Sequence, residues 1–324
     1  MTKTVIHPEQ ILRELSELWV SLGQEQEGVL RACTMTLLVI AEESEDAQGI
    51  GETIAALMPE HPSRVILIGT HAGGGRELSA RVYSQCWMPF GQRQQICCEQ
   101  IEITASDTSL PDLASVVLAL VAPDLPVMLW CRSPRLFEHS DFPALAEIAG
   151  KVIVDGAQLG SPRQALQRLS EFPGRRVADL AWIRLTRWRQ LIAQIFDKPE
   201  NAAKLPSIRE VQIHHAGSAV PIEGYYFAAW LDEALPHAAT KFMGGGKGEE
   251  GHLSLVQFDC GEAPVSVGLS EGQAAELRID DLAAKSICPE PSEYLLLREE
   301  LGIPGTDPIY ERTLRAALRL ALSS

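Results

Sequence analysis

The chain has 324 residues, 46% of them hydrophobic and 22% charged, with a formal net charge of −15. That length can fill more than one hydrophobic core, and the negative charge excludes the basic, phosphate-tracking surface that nucleic acid requires. No stretch reaches the eighteen or so uninterrupted apolar residues of a membrane-spanning helix, because the most apolar region, 116–130, contains Pro123, Asp124 and Pro126.

In chain order, MTKTVIHPEQ lacks the apolar core of a secretory signal, so a cytoplasmic location with no membrane partner is expected. Pro8 suits the first position of a helix. Ile11, Leu12, Leu15, Leu18, Trp19 and Leu22 then recur at helical spacing, with Gly23 as a stop. VLRACTMTLLVIA, 29–41, is too continuously apolar for a one-sided strand and reads as central in a sheet. An acidic stretch leads into a short helix ending near Met58. HPSRVILIGT, LSARVYSQCW and QQICCEQIEIT follow as strands without long helices between them, which implies hairpins and a mixed sheet. SLPDLASVVLALV reads as helix, LPVMLWCR as strand, DFPALAEIA as helix, KVIVDG as strand, and SPRQALQRLSEF as a helix opened by Ser161 and Pro162. DLAWIRLTRWRQLIAQIFD is helical, with Ala181, Leu185, Trp188, Ile192 and Ile195 on one stripe.

DKPENAAKLPS is polar and carries two prolines, and a domain boundary is expected there. An N-terminal three-layer α/β domain with a mixed sheet, 1–204, would thus precede a smaller C-terminal α+β domain, 205–324. In the latter, IREVQIHHAG, GHLSLVQFD, APVSVGLS and AAELRID read as strands, and IEGYYFAAWLDEAL, PSEYLLLREELG and DPIYERTLRAALRLAL as helices.

Chemistry is sparse. A literal GxGxxG at Gly246, Gly248 and Gly251 has no strand closely before it and contains Glu249 and Glu250, which repel phosphate, so it reads as a solvated loop. GTHAGGGRE, 69–77, follows a strand and could present amides to an anion, but it lacks the lysine and hydroxyl of a P-loop. His214 and His215, like Cys97 and Cys98, would point to opposite faces of a strand and cannot share one metal. Seven cysteines, an odd number set partly in apolar runs, read as buried reduced thiols. No catalytic constellation, cofactor or metal is expected. What remains is a reversal of sign: Arg163, Arg168, Arg175, Arg176, Arg184, Arg187 and Arg189 against only Glu171 and Asp179 between 163 and 189. Arginine forks bind carboxylates and phosphates and, with tryptophan, concentrate at interface centres. A solvated helix face over buried tryptophans competes with that reading.

The order RACTMTLLV, PSRVILI, CEQIEI, LPVMLWCR, VIVD, DLAWIRLTRWRQLIAQIFD and AAWLDEAL resembles the OpcA family of glucose-6-phosphate dehydrogenase assembly proteins, most specifically through DLAW.RL..WR. The resemblance spans about residues 30 to 235. It implies a non-enzymatic protein that binds glucose-6-phosphate dehydrogenase, promotes its active oligomer and raises its activity in the oxidative pentose phosphate pathway. Arg184, Arg187 and Arg189 are then the expected partner-binding residues, while Trp188 packs inward. Two departures stand out: Cys131 replaces the second of two adjacent tryptophans, and the helix ending at Leu235 lacks its terminal tryptophan. The alternative is an α/β enzyme or sensor that clamps a sugar phosphate or nucleotide with the GTHAGGG loop and the arginines.

Overall fold

In the computed structural model the described residues are 6–25, 29–43, 45–73, 75–88, 95–172, 176–246, 251–261, 264–270, 274–279, 282–287, 290–303 and 305–323. They fall into two units, Met1–Val154 with Gly174–Ala178, and Asp155–Pro173 with Asp179–Ser324. The division thus lies at Val154 and Asp155, not at 204 and 205, and the second unit is not the smaller. Residues 197–207 form a structured corner. Pro199 opens a one-turn helix in which the buried Asn201 donates its side-chain amide to the Ile195 carbonyl at 2.8 Å. Prolines open the short turns there and Asn201 and Ser207 donate to backbone carbonyls, which composition alone cannot distinguish from a linker.

The first unit contains α1 (Pro8–Glu25), β1 (Val29–Arg31), β2 (Met35–Glu42), α2 (Ala47–Leu57), β3 (Ser63–His71), β4 (Leu78–Trp87), β5 (Gln95–Ser106), α3 (Leu110–Leu120), β6 (Val127–Cys131), α4 (Pro134–Phe137), α5 (Phe142–Ala146) and β7 (Lys151–Val154). Its sheet, completed by β8 (Arg176–Asp179), has the order β1-β5-β3-β2-β6-β7-β8, with β4 also paired to β5. β2 runs parallel to both β3 and β6 and is buried along its whole length except Glu42, the situation in which a strand reads as a continuous apolar run. The mixed character comes from β4, antiparallel to β5. β3 lies parallel to β5, so one expected hairpin forms and the other does not. The single strand expected over 29–41 is two: β1 pairs with β5, and Thr34 donates both its N–H and its hydroxyl to the Pro62 carbonyl before β2 begins.

A buried ion pair ties the strands together. Glu99, 3% exposed, accepts from Arg64 Nε at 2.6 Å and Trp19 Nε1 at 2.7 Å, and Arg64 also donates to the Leu120 carbonyl. The β4–β5 register sets Cys86 opposite Cys97, and the two form a disulfide, so not all of the cysteines are the reduced thiols expected. Cys98 turns to the other face, where burial pushes its thiol up to about 11.

The second unit contains α6 (Pro162–Glu171), α7 (Leu180–Arg184), α8 (Thr186–Phe196), α9 (Pro199–Ala202), β9 (Glu210–Ala216), α10 (Ile222–Ala234), β10 (Ala239–Gly246), β11 (Leu253–Asp259), β12 (Val265–Ser270), β13 (Ala274–Ile279), β14 (Leu282–Ile287), α11 (Glu293–Leu301) and α12 (Pro308–Ser323). Its sheet runs β10-β9-β11-β12-β13-β14, parallel only between β10 and β9. Val211, Ile213, Val256, Phe258, Val265 and Val267 fill one face, which is the alternation of an antiparallel sheet covered on one side. β10 is unexpected, because its GGG ending reads as a loop. Of the literal GxGxxG, Gly246 ends β10, and residues 247–250 lie outside the described residues. His215 is buried and His214 half-buried on the opposite face, as strand geometry requires.

Candidate functional site

The order of the first sheet reverses between β2 and β6: the chain leaves β2 toward β3 on one side and later adds β6 and β7 on the other. In a doubly wound sheet the crevice at the carboxyl ends of such a pair is where ligands bind, and a glycine-rich first turn lets pyrophosphate reach a helix N-terminus. Here β2 ends at Glu42 and is followed by Glu43, Ser44, Glu45 and Asp46. Asp46 caps α2 itself, accepting the Gln48 N–H at 3.1 Å. Glu42 accepts from Arg135 Nε at 3.1 Å, from Arg135 Nη2 at 2.8 Å and from the Ser133 hydroxyl. Arg135 also meets Asp107 at 2.5 Å, and these bonds, opposed by partial burial, hold its guanidinium above its ordinary range. Arg132 pairs with Glu45 at 2.7 Å and lies over the Trp130 ring. The carboxylates at this crevice are therefore paired with the chain's own arginines.

The DLAWIRLTRWR segment organises the second unit. Asp179 is fully buried and caps α7: its Oδ1 accepts N–H bonds from Ala181 at 2.9 Å and Gly156 at 2.7 Å, and its Oδ2 accepts the Tyr226 hydroxyl at 2.8 Å. Burial, aided by the charge of Asp155 and only partly offset by those three donors, pushes its carboxyl up to about 7. A Cβ on Gly156 would stand 2.2 Å from Asp179 Oδ2, so only glycine fits. Trp182 is 1% exposed, donates Nε1 to Asp307 at 3.0 Å and packs against Tyr226 and Tyr310. Trp188 is buried edge-on against Phe227.

The three singled-out arginines are placed differently from one another. Arg184 is 14% exposed, with Nη2 2.9 Å from Asp155 and Nη1 3.0 Å from Glu223. Burial opposes its charge, yet the two carboxylates prevail and raise its pKa. Arg189 stacks on the Trp182 ring, 3.6 Å from the centroid, with Nε unpartnered; burial lowers it to about 10. Arg187 is half-buried. Glu223 also faces His252 Nδ1 at 3.4 Å, whose Nε2 lies 3.5 Å from Glu290; the bond to Glu223 raises the imidazole pKa against its burial. Asp155, Glu223 and His252 carried no motif and come together only through the fold. The acidic turn after β2 was visible as EESED, although not its pairing with Arg132 and Arg135.

This architecture, a Rossmann-like first unit followed by a second, largely antiparallel sheet, recurs among solved structures. A 3-ketoreductase from Actinomadura kijaniata, solved with NADP and TDP-benzene, shares it with a TM-score of 0.50 over 89% of this chain and 96% of that one, at 10% identity. In sequence, residues 54–171 match the model for the glucose-6-phosphate dehydrogenase subunit N-terminal domain, and residues 175–314 match the corresponding C-terminal domain. Proteins of Synechocystis sp. and Nostoc punctiforme, each named as a candidate OxPP cycle protein, OpcA, are 30% and 31% identical over 175 and 180 residues. The matches cover 52% and 54% of this chain and 36% and 38% of those relatives, little more than a third of their length. The chain belongs to the OpcA family.

Proposed function

We propose that this chain is a non-enzymatic assembly factor and allosteric activator that binds glucose-6-phosphate dehydrogenase and promotes its active oligomer. The descriptions of the two family models, which together span most of the chain, support that choice of partner. The observation that carries the non-enzymatic part is the acidic turn after β2. Glu42, Glu45 and Asp46 stand where a dinucleotide would need amides and glycines, and Glu42 is engaged by Arg135. Carboxylates there repel pyrophosphate.

Activation then works by linkage: a protein that binds the active oligomer more tightly shifts the population toward it by that difference in affinity. A coupling of about 1 to 3 kcal/mol changes substrate affinity roughly 5- to 150-fold. Arg187 is the proposed contact with the dehydrogenase, and Arg184 and Arg189 hold the helical segment that presents it. The test is a glucose 6-phosphate saturation curve of the dehydrogenase with and without this chain, alongside gel filtration of the mixture. A curve shifted to lower substrate together with co-migration supports the proposal. An unmoved curve without co-migration refutes it. Arg187→Glu should weaken the activation and leave the melting curve in place.

A further inference from the structure

We infer that the groove between α10 and α12 is a docking site for an acidic, amphipathic segment of the partner dehydrogenase. The inference rests on the assembly reading above and assigns it a second surface.

α12 buries Tyr310, Thr313, Leu314, Ala317 and Ala321. Its other side carries Arg312, Arg315 and Arg319, all exposed, spaced three and four residues apart so that they stack along one face. They border an open groove of about 540 Å³. Small residues, Ala229 of α10 and Ala316 of α12, line it and leave room for a backbone to approach closely.

Three arginines and two carboxylates line the groove. Glu233 accepts from Arg312 Nε at 3.1 Å, and Asp232 accepts the Thr240 hydroxyl at 2.7 Å. Arg315 and Arg319 have no ion pair among the described residues, in a chain whose net charge is −15. A polypeptide this acidic places two unpaired guanidiniums one helical turn apart beside a groove whose apolar lining is Ala229, Ala316 and Leu320. Their natural complement is a helix with two carboxylates at the same spacing and a narrow apolar edge. Charge pairs of this kind steer encounter and fix register even where their net contribution to affinity is modest.

The experiment compares dehydrogenase binding by the intact chain, by Arg315→Glu/Arg319→Glu, and by Arg315→Lys/Arg319→Lys, each with a melting curve. The double reversal should weaken binding about tenfold or more while the melt moves by no more than about 2 °C, as for exposed positions. The lysine pair, which keeps the charge, should bind close to the intact chain, and added salt should weaken both. If the intact chain binds but the double reversal binds equally well, this site is wrong and the assembly reading stands. If the intact chain does not bind, the assembly reading fails and this inference with it. If the intact chain forms a dimer by sedimentation that the reversal dissociates, the groove holds a second copy and the proposed occupant is overturned.

Discussion

Arg184 cannot reach far beyond the chain while its guanidinium bridges Asp155 and Glu223, the latter 4% exposed. Removing one partner of a buried pair leaves uncompensated charge, which costs about 3 to 5 kcal/mol. Arg184→Met should therefore lower the urea unfolding free energy by that amount, and a midpoint equal to the intact chain's would show that the pair contributes nothing. Charge reversal at Arg184 is correspondingly unsuited as a probe of partner binding. Asp179 makes a prediction about pH. Its carboxyl is raised from 3.8 to about 7 by burial first and Asp155 second. The folded chain thus holds this proton more tightly than the unfolded one, so the stability it contributes is complete below about pH 4 and lost as pH rises through about 7. The loss should approach roughly 4 kcal/mol, and Asp179→Asn, which mimics the neutral carboxyl, should abolish it. Parallel pH profiles of the two proteins would refute the assignment. The stripe Trp188, Ile192 and Ile195 was legible from spacing because helical periodicity is local. The partner of Arg184 was not, since Glu223 lies 39 residues further along the chain.

At the scale of elements, the turn from β2 to α2 separates a residue that holds structure from one that does not. Glu42 accepts from Arg135 and Ser133, whereas the neighbouring Glu43 is exposed. Glu42→Ala leaves a guanidinium and a hydroxyl short of an acceptor, and a hydrogen bond to a charged group contributes about 1.5 to 3 kcal/mol. Glu43→Ala, as an ordinary surface change, should stay within about 0.5 kcal/mol. Denaturant midpoints of the two variants test the contrast, and equal losses would count against the pairing. Strand cores such as β3 and β6 could be read from the sequence because burial on both faces leaves an apolar run. Three elements escaped that logic. The run 29–41 hides a break made by hydrogen bonds to Pro62, β10 ends in glycines, and β14 holds a single β-branched residue, Ile287. For the first two the partner strand or carbonyl decides, and it is remote in sequence, whereas β14 pairs with the preceding β13. The division at Val154 was equally hidden, since a chain that leaves a unit and returns for one strand marks neither crossing by composition.

At the scale of the whole molecule, a fold shared at 10% identity leaves function to the residues that occupy it. The competing reading, an α/β enzyme or sensor holding a sugar phosphate or nucleotide, needs a place for an anion. In the first unit the loop after β3 is already engaged internally: the Glu77 N–H donates to Ser106 at 2.9 Å, and Arg76 pairs with Asp112. The crevice at the sheet reversal carries the carboxylates of Glu42, Glu45 and Asp107, and desolvating a phosphate among them adds repulsion to the cost of burial. A ligand present at a hundred times its dissociation constant stabilises the state it binds by about 2.7 kcal/mol. Millimolar NADP and glucose 6-phosphate, alone and together, should accordingly leave the melting curve of the purified chain unmoved. The same ligands added with the dehydrogenase should shift only the melt of the complex. A saturable shift with NADP on the isolated chain would mean that the Glu42–Arg135 pair opens to admit it, and Glu42→Gln should then strengthen that binding by removing one repelling charge.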